Sequence, residues 1–389
     1  MRRLLLIVSA IVLVDTIFFA ALAPLLPHYT DELGLSKTDA GILTALYAMG
    51  GIAGAIPGGL LATRLGVKPT VLLGLALMSA TSVAFGLAGS TWMLEVARFG
   101  QGVGSALSWT GALAWLVAAS PRERRGELIG VAMGAAVGGA LLGPVLGGAA
   151  AVVGTGPAFT AVAALGGVLA AWAWTTPAFP PGERQPLRLL FTAAREVRVA
   201  AGIWLLMLPA ILLRVISVLA PLRLDELGWG TVGVSVTFLV SAGLQAVFNP
   251  SLGRWSDRHG RLAPVRAGLV ASIGISLVLP WIGERWTLAV VVIVASLAYG
   301  VFWVPGTALL SDGAEAAGLE HGLGFALMNL AWAPGNVVGS FAAGALADVS
   351  GEVVPYVTAA FVCFLTLAAI SRRSLRAVRL GRPRAADPT

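Results

Sequence analysis

GVAMGAAVGGALLGPVLGG, residues 130–148, is long enough to cross a membrane yet badly composed for a helix in water. In a water-exposed helix each glycine costs about 1 kcal/mol relative to alanine and an interior proline about 3 kcal/mol. Here glycine stands at 130, 134, 138, 139, 143, 147 and 148, with Pro144 among them. In lipid no water competes for the backbone, so the glycine penalty shrinks, and small residues let two helices approach closely. Gly130, Gly134 and Gly138 lay one bare stripe along such a helix, Gly139, Gly143 and Gly147 a second, and Pro144 bends it. The stretch reads as a transmembrane helix made for close packing; a generic small-residue face is the alternative.

Composition carries that reading to the whole chain. Of 389 residues 57% are hydrophobic and only 12% charged, with a mean hydropathy of +0.87, where soluble domains carry about a quarter charged residues. Apolar runs of about 20 residues, the length that crosses a bilayer core, fall at 4–27, 40–62, 70–89, 92–118, 128–153, 158–176, 202–222, 232–252, 265–282, 286–310, 323–347 and 354–370. The expected fold is all-α integral membrane, with twelve transmembrane helices. MRRLLLIVSAIVLVDTIFFAALA could pass for a signal peptide, but the run is too long and Asp15 interrupts it, so it reads as an uncleaved first span. Cys363 has no second cysteine to pair with, and His28, His259 and His321 are too scattered for a metal site.

A formal charge of +7 and a pI near 10.4 would suit a nucleic-acid partner, but the charges are placed otherwise. With both termini in the cytoplasm, every lysine and arginine except Lys37, Arg98, Arg214, Arg223 and Arg285 falls on the inner side, the positive-inside pattern. The expectation is a multi-pass protein of the cell's inner (plasma) membrane, among membrane lipids, with no nucleic-acid partner.

The loops are short except 177–201, which is proline-rich, then basic and amphipathic. It separates an N-terminal six-helix bundle at 1–176 from a C-terminal one at 202–371, with a basic tail at 372–389. The halves share a plan. LAPLLPHYTDELG ends at Gly34 and LAPLRLDELG at Gly228; GGLLATRLGVKP ends at Pro69 and LGRWSDRHGRLAP at Pro264. Gly34 to Gly228 and Thr63 to Asp257 are each 194 positions apart. Two pseudo-symmetric bundles around a central site are what alternating access requires.

Four motifs together resemble the major facilitator superfamily, and within it the twelve-helix drug:proton antiporters. Gly130, Gly139, Gly143, Pro144, Gly147 and Gly148 are similar in spacing to the antiporter motif of the family's fifth helix; the resemblance implies that this surface packs against the other half and seals the pathway. RFGQGVGSA, residues 98–106, is similar to the fourth-helix pattern of an arginine followed by Gln-Gly-x-Gly, which implies a role for Arg98 in proton transfer. An arginine inside a span is functional by default, though Glu95 one turn earlier could simply neutralise it. VDTIFFAALAPLLP, residues 14–27, resembles the first helix of vesicular amine transporters and implies Asp15 as the proton carrier. It is the acid nearest mid-membrane in the first half, about 16 Å past Leu4, whereas Arg98 lies nearer the outer face, so the two need something between them. GRWSDRHGR carries the family's loop pattern in full at Gly253, Asp257, Arg258, Gly260 and Arg261; the first copy has Gly59, Arg64 and Gly66 but Thr63 where the aspartate belongs. Threonine can cap a helix but cannot pair with an arginine, which puts the first copy's conformational latch in doubt.

Candidate cavity residues are Phe18, Gln101, Trp109, Arg214, Gln245, Trp303, Asn329, Trp332 and Asn336. An aromatic, mildly polar pocket with one acid suits amphipathic or cationic organic molecules. Arg214 either faces this cavity, attracting an anionic group or balancing Asp15, or snorkels and binds lipid. The expected function is a monomeric, proton-coupled exporter of small organic molecules, using the proton gradient and no cofactor; the alternative is transport of a neutral metabolite such as a sugar. No HExxH or GxSxG motif suggests an enzyme, and no stretch between spans is long enough for a sensor's output domain.

Overall fold

The computed structural model describes residues 1–121, 124–178, 194–317 and 321–379. The first span is broken in two, α1 (Arg2–Ala20) and α2 (Leu22–Leu33). Pro24 explains the break: it has no N–H for the Ala20 carbonyl and its ring crowds that oxygen. Then follow α3 (Lys37–Arg64), α4 (Val67–Gly86), α5 (Thr91–Ala119), α6 (Arg125–Val153) and α7 (Thr155–Trp174). The second half comprises α8 (Val197–Glu226), α9 (Gly230–His259), α10 (Leu262–Val278), α11 (Arg285–Gly300), α12 (Trp303–Ala316), α13 (His321–Ser350) and α14 (Val353–Arg379). Among the described residues there is no strand, and eleven segments are long and apolar enough to span a membrane. Of the separating segment, residues 179–193 lie outside the described ones, and α8 already starts at Val197.

The duplication is visible in the backbone. Gly34 (φ 67°) and Gly228 (φ 76°) close the first span of each half, and Gly66 (φ 96°) and Gly260 (φ 79°) turn the chain after the second. Each pair takes a left-handed conformation in which a side chain is strained. Within the first half α1 packs on α6, and α3 and α4 flank α5; within the second α8 packs on α12 and α13, and α10 on α14. Across the junction α3 meets α13 and α6 meets α9, two pairs exchanged by the pseudo-symmetry.

The described cross-half contacts run from one end of the bundle, the end that carries Lys37, to its middle. At that end a capping box of Ser36 and Asp39 starts α3, and the Thr38 N–H donates to Asp348 of α13 at 2.7 Å. Lys37 pairs with Glu226 at 3.5 Å and with Glu352. The duplicated DELG segments meet here, and Asp31, Asp225, Glu226 and Asp348 line a cavity of about 450 Å³ around Lys37. One turn deeper, a methyl group on Gly41 would lie 2.6 Å from the Ser340 carbonyl oxygen. The Lys37 ends of the two halves are therefore closed on each other.

Candidate functional site

Asp15 is 4% exposed in the middle of α1. Its carboxylate accepts two hydrogen bonds, from the Tyr47 hydroxyl of α3 at 2.8 Å and from the Trp109 indole N–H of α5 at 2.7 Å. Among the described residues it has no ion-pair partner within 4.0 Å. The glycines of the fourth-span motif bring α5 close against α3 and α4. A methyl on Gly102 would sit 2.0 Å from the Tyr47 carbonyl oxygen, and one on Gly104 2.7 Å from the Met78 nitrogen of α4. Only glycine allows backbones this close, and the closeness puts Tyr47 within reach of both Asp15 and Arg98.

Tyr47 is the link that the depth of the two charged groups called for. The Arg98 guanidinium lies over its ring, 4.6 Å from the centroid, a cation–π contact. Arg98, 1% exposed, donates to the Phe18 carbonyl at 3.0 Å, the Phe19 carbonyl at 3.0 Å and the Gln101 side-chain oxygen at 2.9 Å. It does not pair with Glu95. Gln101 in turn donates to the Ser82 hydroxyl at 3.1 Å. So Gln101, expected in the cavity, is buried inside the first half and positions Arg98. Tyr47 escaped the sequence reading, although a tyrosine mid-span needs a polar partner and so carried a signal.

Phe18 is also corrected. It is buried against Phe159, ring centroids 6.1 Å apart, and its neighbour Phe19 faces the junction instead. The Phe19 ring lies 5.2 Å from Tyr47 and 5.3 Å from Trp332 of α13, and the Arg214 guanidinium of α8 stands 4.8 Å above it. Arg214 therefore faces the junction between the halves. Its Nε has no hydrogen-bond partner, and no side-chain hydrogen bond or ion pair of Arg214 exists among the described residues. Trp109 and Trp332 are half-buried at this junction as expected. Gln245 turns instead toward Gly300, Trp303 packs against a cluster that includes Val199 and Leu310, and Asn336 is buried, donating to the Trp332 carbonyl of its own helix at 2.8 Å. None of these three takes part in the Asp15 cluster. The Asn329 side chain lies outside the described residues.

A model of the Major Facilitator Superfamily matches residues 8–319 and again 210–387. The chain belongs to that superfamily. Its members are transporters, not enzymes, and this chain is a multi-pass membrane protein of that kind. Multidrug resistance protein MdtH of Salmonella choleraesuis is 24% identical over 378 residues, 92% of this chain and 90% of that protein. Quinolone resistance protein NorA of Staphylococcus aureus is 29% identical over 107 residues, a match that spans only 28% of that relative's length. Among solved structures, a bacterial homologue of the human lysosomal transporter Spinster, inward-facing and unoccupied, superposes with a TM-score of 0.73 at 17% identity, over 94% of this chain and 95% of that one.

The superfamily's glycine motif packs differently from what the resemblance implied. On α6 a methyl at Gly139 would lie 2.5 Å from the Leu13 carbonyl oxygen, at Gly143 2.4 Å from the Ala20 Cβ, and at Gly147 2.7 Å from the Ala21 carbonyl oxygen. That ladder, with Pro144 inside it, clasps the broken first span of its own half. Gly148, next to the ladder, reaches across instead: a methyl there would lie 2.8 Å from the Ser235 hydroxyl of α9. Gly130 and Gly134 have open space. Leu141, whose leucine on an apolar helix would suit a lipid-facing position, lies 3.6 Å from where a methyl on Gly243 of α9 would stand, so it faces the second half.

Of the loop motifs, Arg261 pairs with Asp312 of α12 at 2.5 Å, a contact within the second half. Gly59 and Gly253 have no close backbone neighbour, and Arg64 and Arg258 are exposed. The side chains of Thr63 and Asp257 lie outside the described residues.

Proposed function

We propose that this chain is a proton-coupled exporter of small organic molecules, monomeric and cofactor-free, in the cell's inner membrane with both termini cytoplasmic and α13 as its twelfth span. The observation that carries the reading is the state of Asp15: a mid-membrane carboxylate held by two neutral donors and no cation. Protonating it changes the charge of the cluster by one and weakens an acceptor that both Tyr47 and Trp109 use. Those donors sit on α3 and α5, and α3 also forms the closed outer contact with α13, so a proton on Asp15 acts on an element that both access states must move. Arg98 shapes the same cluster through Tyr47. Two relatives that carry resistance names, MdtH and NorA, support small organic molecules as cargo.

The test is flux in proteoliposomes under an imposed pH gradient, inside alkaline or inside acidic, across cationic, neutral and anionic aromatic compounds and a sugar. Substrate movement that follows the gradient and reverses with it is expected; movement indifferent to the gradient, or confined to the sugar, overturns the proposal.

A further inference from the structure

Arg214 is the charged group that the Asp15 mechanism leaves unused. It lies twelve residues before the end of α8 at Glu226, about 18 Å along the helix axis, too deep for a lipid headgroup to reach without distorting the bilayer. A guanidinium offers five N–H donors in a planar fork, and here none of them has a partner among the described residues. Arg98, by contrast, is engaged by two carbonyls and an amide oxygen. Arg214 is only half-buried at the junction, so its donors are open to an anion that enters there, and an anion would offset the cost of a charge at this depth. The protein's own candidate, Asp15, is already held on both oxygens.

What surrounds the fork defines the rest of the ligand. Phe19 lies beneath Arg214, with the rings of Trp332 and Tyr47 tilted against it by 53° and 54°. Room for the arginine stem is provided by Gly339 of α13, where a methyl would sit 3.0 Å from the Arg214 Cβ. We infer that Arg214 and the Phe19–Trp332 wall form an anion subsite, in which an organic carboxylate with a flat aromatic body places its two oxygens on the guanidinium fork and its ring against Phe19. Fork and carboxylate match in a bidentate pair, and the aromatic rings supply the apolar wall. The inference rests on the exporter reading only in taking this junction as the transport site, and it narrows the cargo to aromatic carboxylates, zwitterions included.

The experiment measures binding, which needs no gradient. Full-length protein in phosphatidylcholine nanodiscs is titrated with 2-naphthoate, its neutral amide and the cationic naphthylmethylamine, following tryptophan fluorescence. The wild type is expected to bind naphthoate at least roughly tenfold tighter than the amide, the scale of a charge-assisted hydrogen bond. Arg214→Gln should bind naphthoate and amide alike, and Arg214→Lys should keep part of the preference, showing that the variants are folded. Arg285→Gln, on the surface, should match the wild type. No saturable binding of naphthoate, equal affinities in the wild type, or a preference that survives Arg214→Gln overturns the inference. So does loss of the preference when phosphatidylglycerol replaces part of the phosphatidylcholine, which would make a lipid phosphate the occupant. Gradient-driven flux without a carboxylate preference sinks this inference alone; the preference without gradient-driven flux sinks only the exporter reading.

Discussion

The two halves are built on one plan and carry opposite chemistry. In the first, the central polar side chains are tied to one another: Asp15 to Tyr47 and Trp109, Arg98 through its terminal nitrogens to two carbonyls and Gln101, and Gln101 to Ser82, with the Arg98 Nε left without a partner. In the second, the position equivalent to Asp15, 194 residues on, is Pro209, and the central charge is Arg214, without a hydrogen-bond partner among the described residues. Duplication supplied the scaffold twice; the linked polar network was built once, and the other half's central charge stands open at the junction. A closed network holds its geometry whether or not a ligand is present, whereas an open group takes its geometry from the ligand.

The sharpest way to break this comparison is Asp15→Asn. It preserves shape and both hydrogen-bond donors around it but cannot take up a proton. Gradient-driven flux is expected to fall by more than about a hundredfold, while exchange of substrate across the membrane without a gradient persists. Intact gradient-driven flux in the variant would move the proton role elsewhere. Next in size is Gly143→Val. A methyl at this position would already lie 2.4 Å from the Ala20 Cβ, so valine has no room. Overpacking costs about 1–3 kcal/mol, and each 1.4 kcal/mol is roughly tenfold in the balance of states. Gly134→Val, on the same helix in open space, is the control, and site-specific fluorescence reporting outward-open against inward-open populations is the measurement. Equal effects at the two positions would reduce the ladder to filler.

Tyr47→Phe sharpens the first half's side of the contrast. The ring stays beneath Arg98, but Asp15 loses one of its two donors, an interaction of about 1.5–3 kcal/mol for a charged acceptor. The pH at half-maximal transport should move up, because the lost bond favoured the charged carboxylate; an unchanged pH profile would mean that Tyr47 serves Arg98 alone. The smallest effect is expected at the joint between the halves. Lys37→Met removes the pairs with Glu226 and Glu352, both at the solvent-reachable rim of the bundle, where an ion pair contributes on the order of 1 kcal/mol. Outward-open population should rise a few-fold, read by the same fluorescence reporter, and a fall would show that the outer carboxylates hold the halves together without the lysine.

Much of this was legible in the sequence because membrane solvation is strict. Apolar runs, the charge bias and the repeated DELG and glycine-turn segments each answer to a single physical demand, and the helices, the duplication and the depth of Asp15 follow. What was not legible turns on rotation and on distant neighbours. Adjacent residues on a helix point about 100° apart, so choosing Phe18 over Phe19 needs the facing of α1, which its nearly uniform apolar surface does not reveal. Tyr47 is 32 residues from Asp15 and 51 from Arg98 in sequence, and their meeting depends on close helix packing, such as that of α3 on α5 at Gly102, that pattern alone does not show. The glycine ladder showed that something must come close to α6, but not that the partner was its own half's first span, nor that Leu141 would face α9.

Phe19 has a consequence for how two events on opposite halves can inform each other. Its ring is at once the floor under Arg214 and the neighbour of Tyr47, whose hydroxyl binds Asp15. If a bound carboxylate shifts that ring, it shifts the setting of the proton site by the same stroke, and thermodynamic reciprocity requires the proton to alter the carboxylate's affinity by the same factor. A single uncharged side chain would then set the exchange rate between the two ligands, and trimming it in Phe19→Ala would leave a protein able to bind each of them while deaf to the presence of the other.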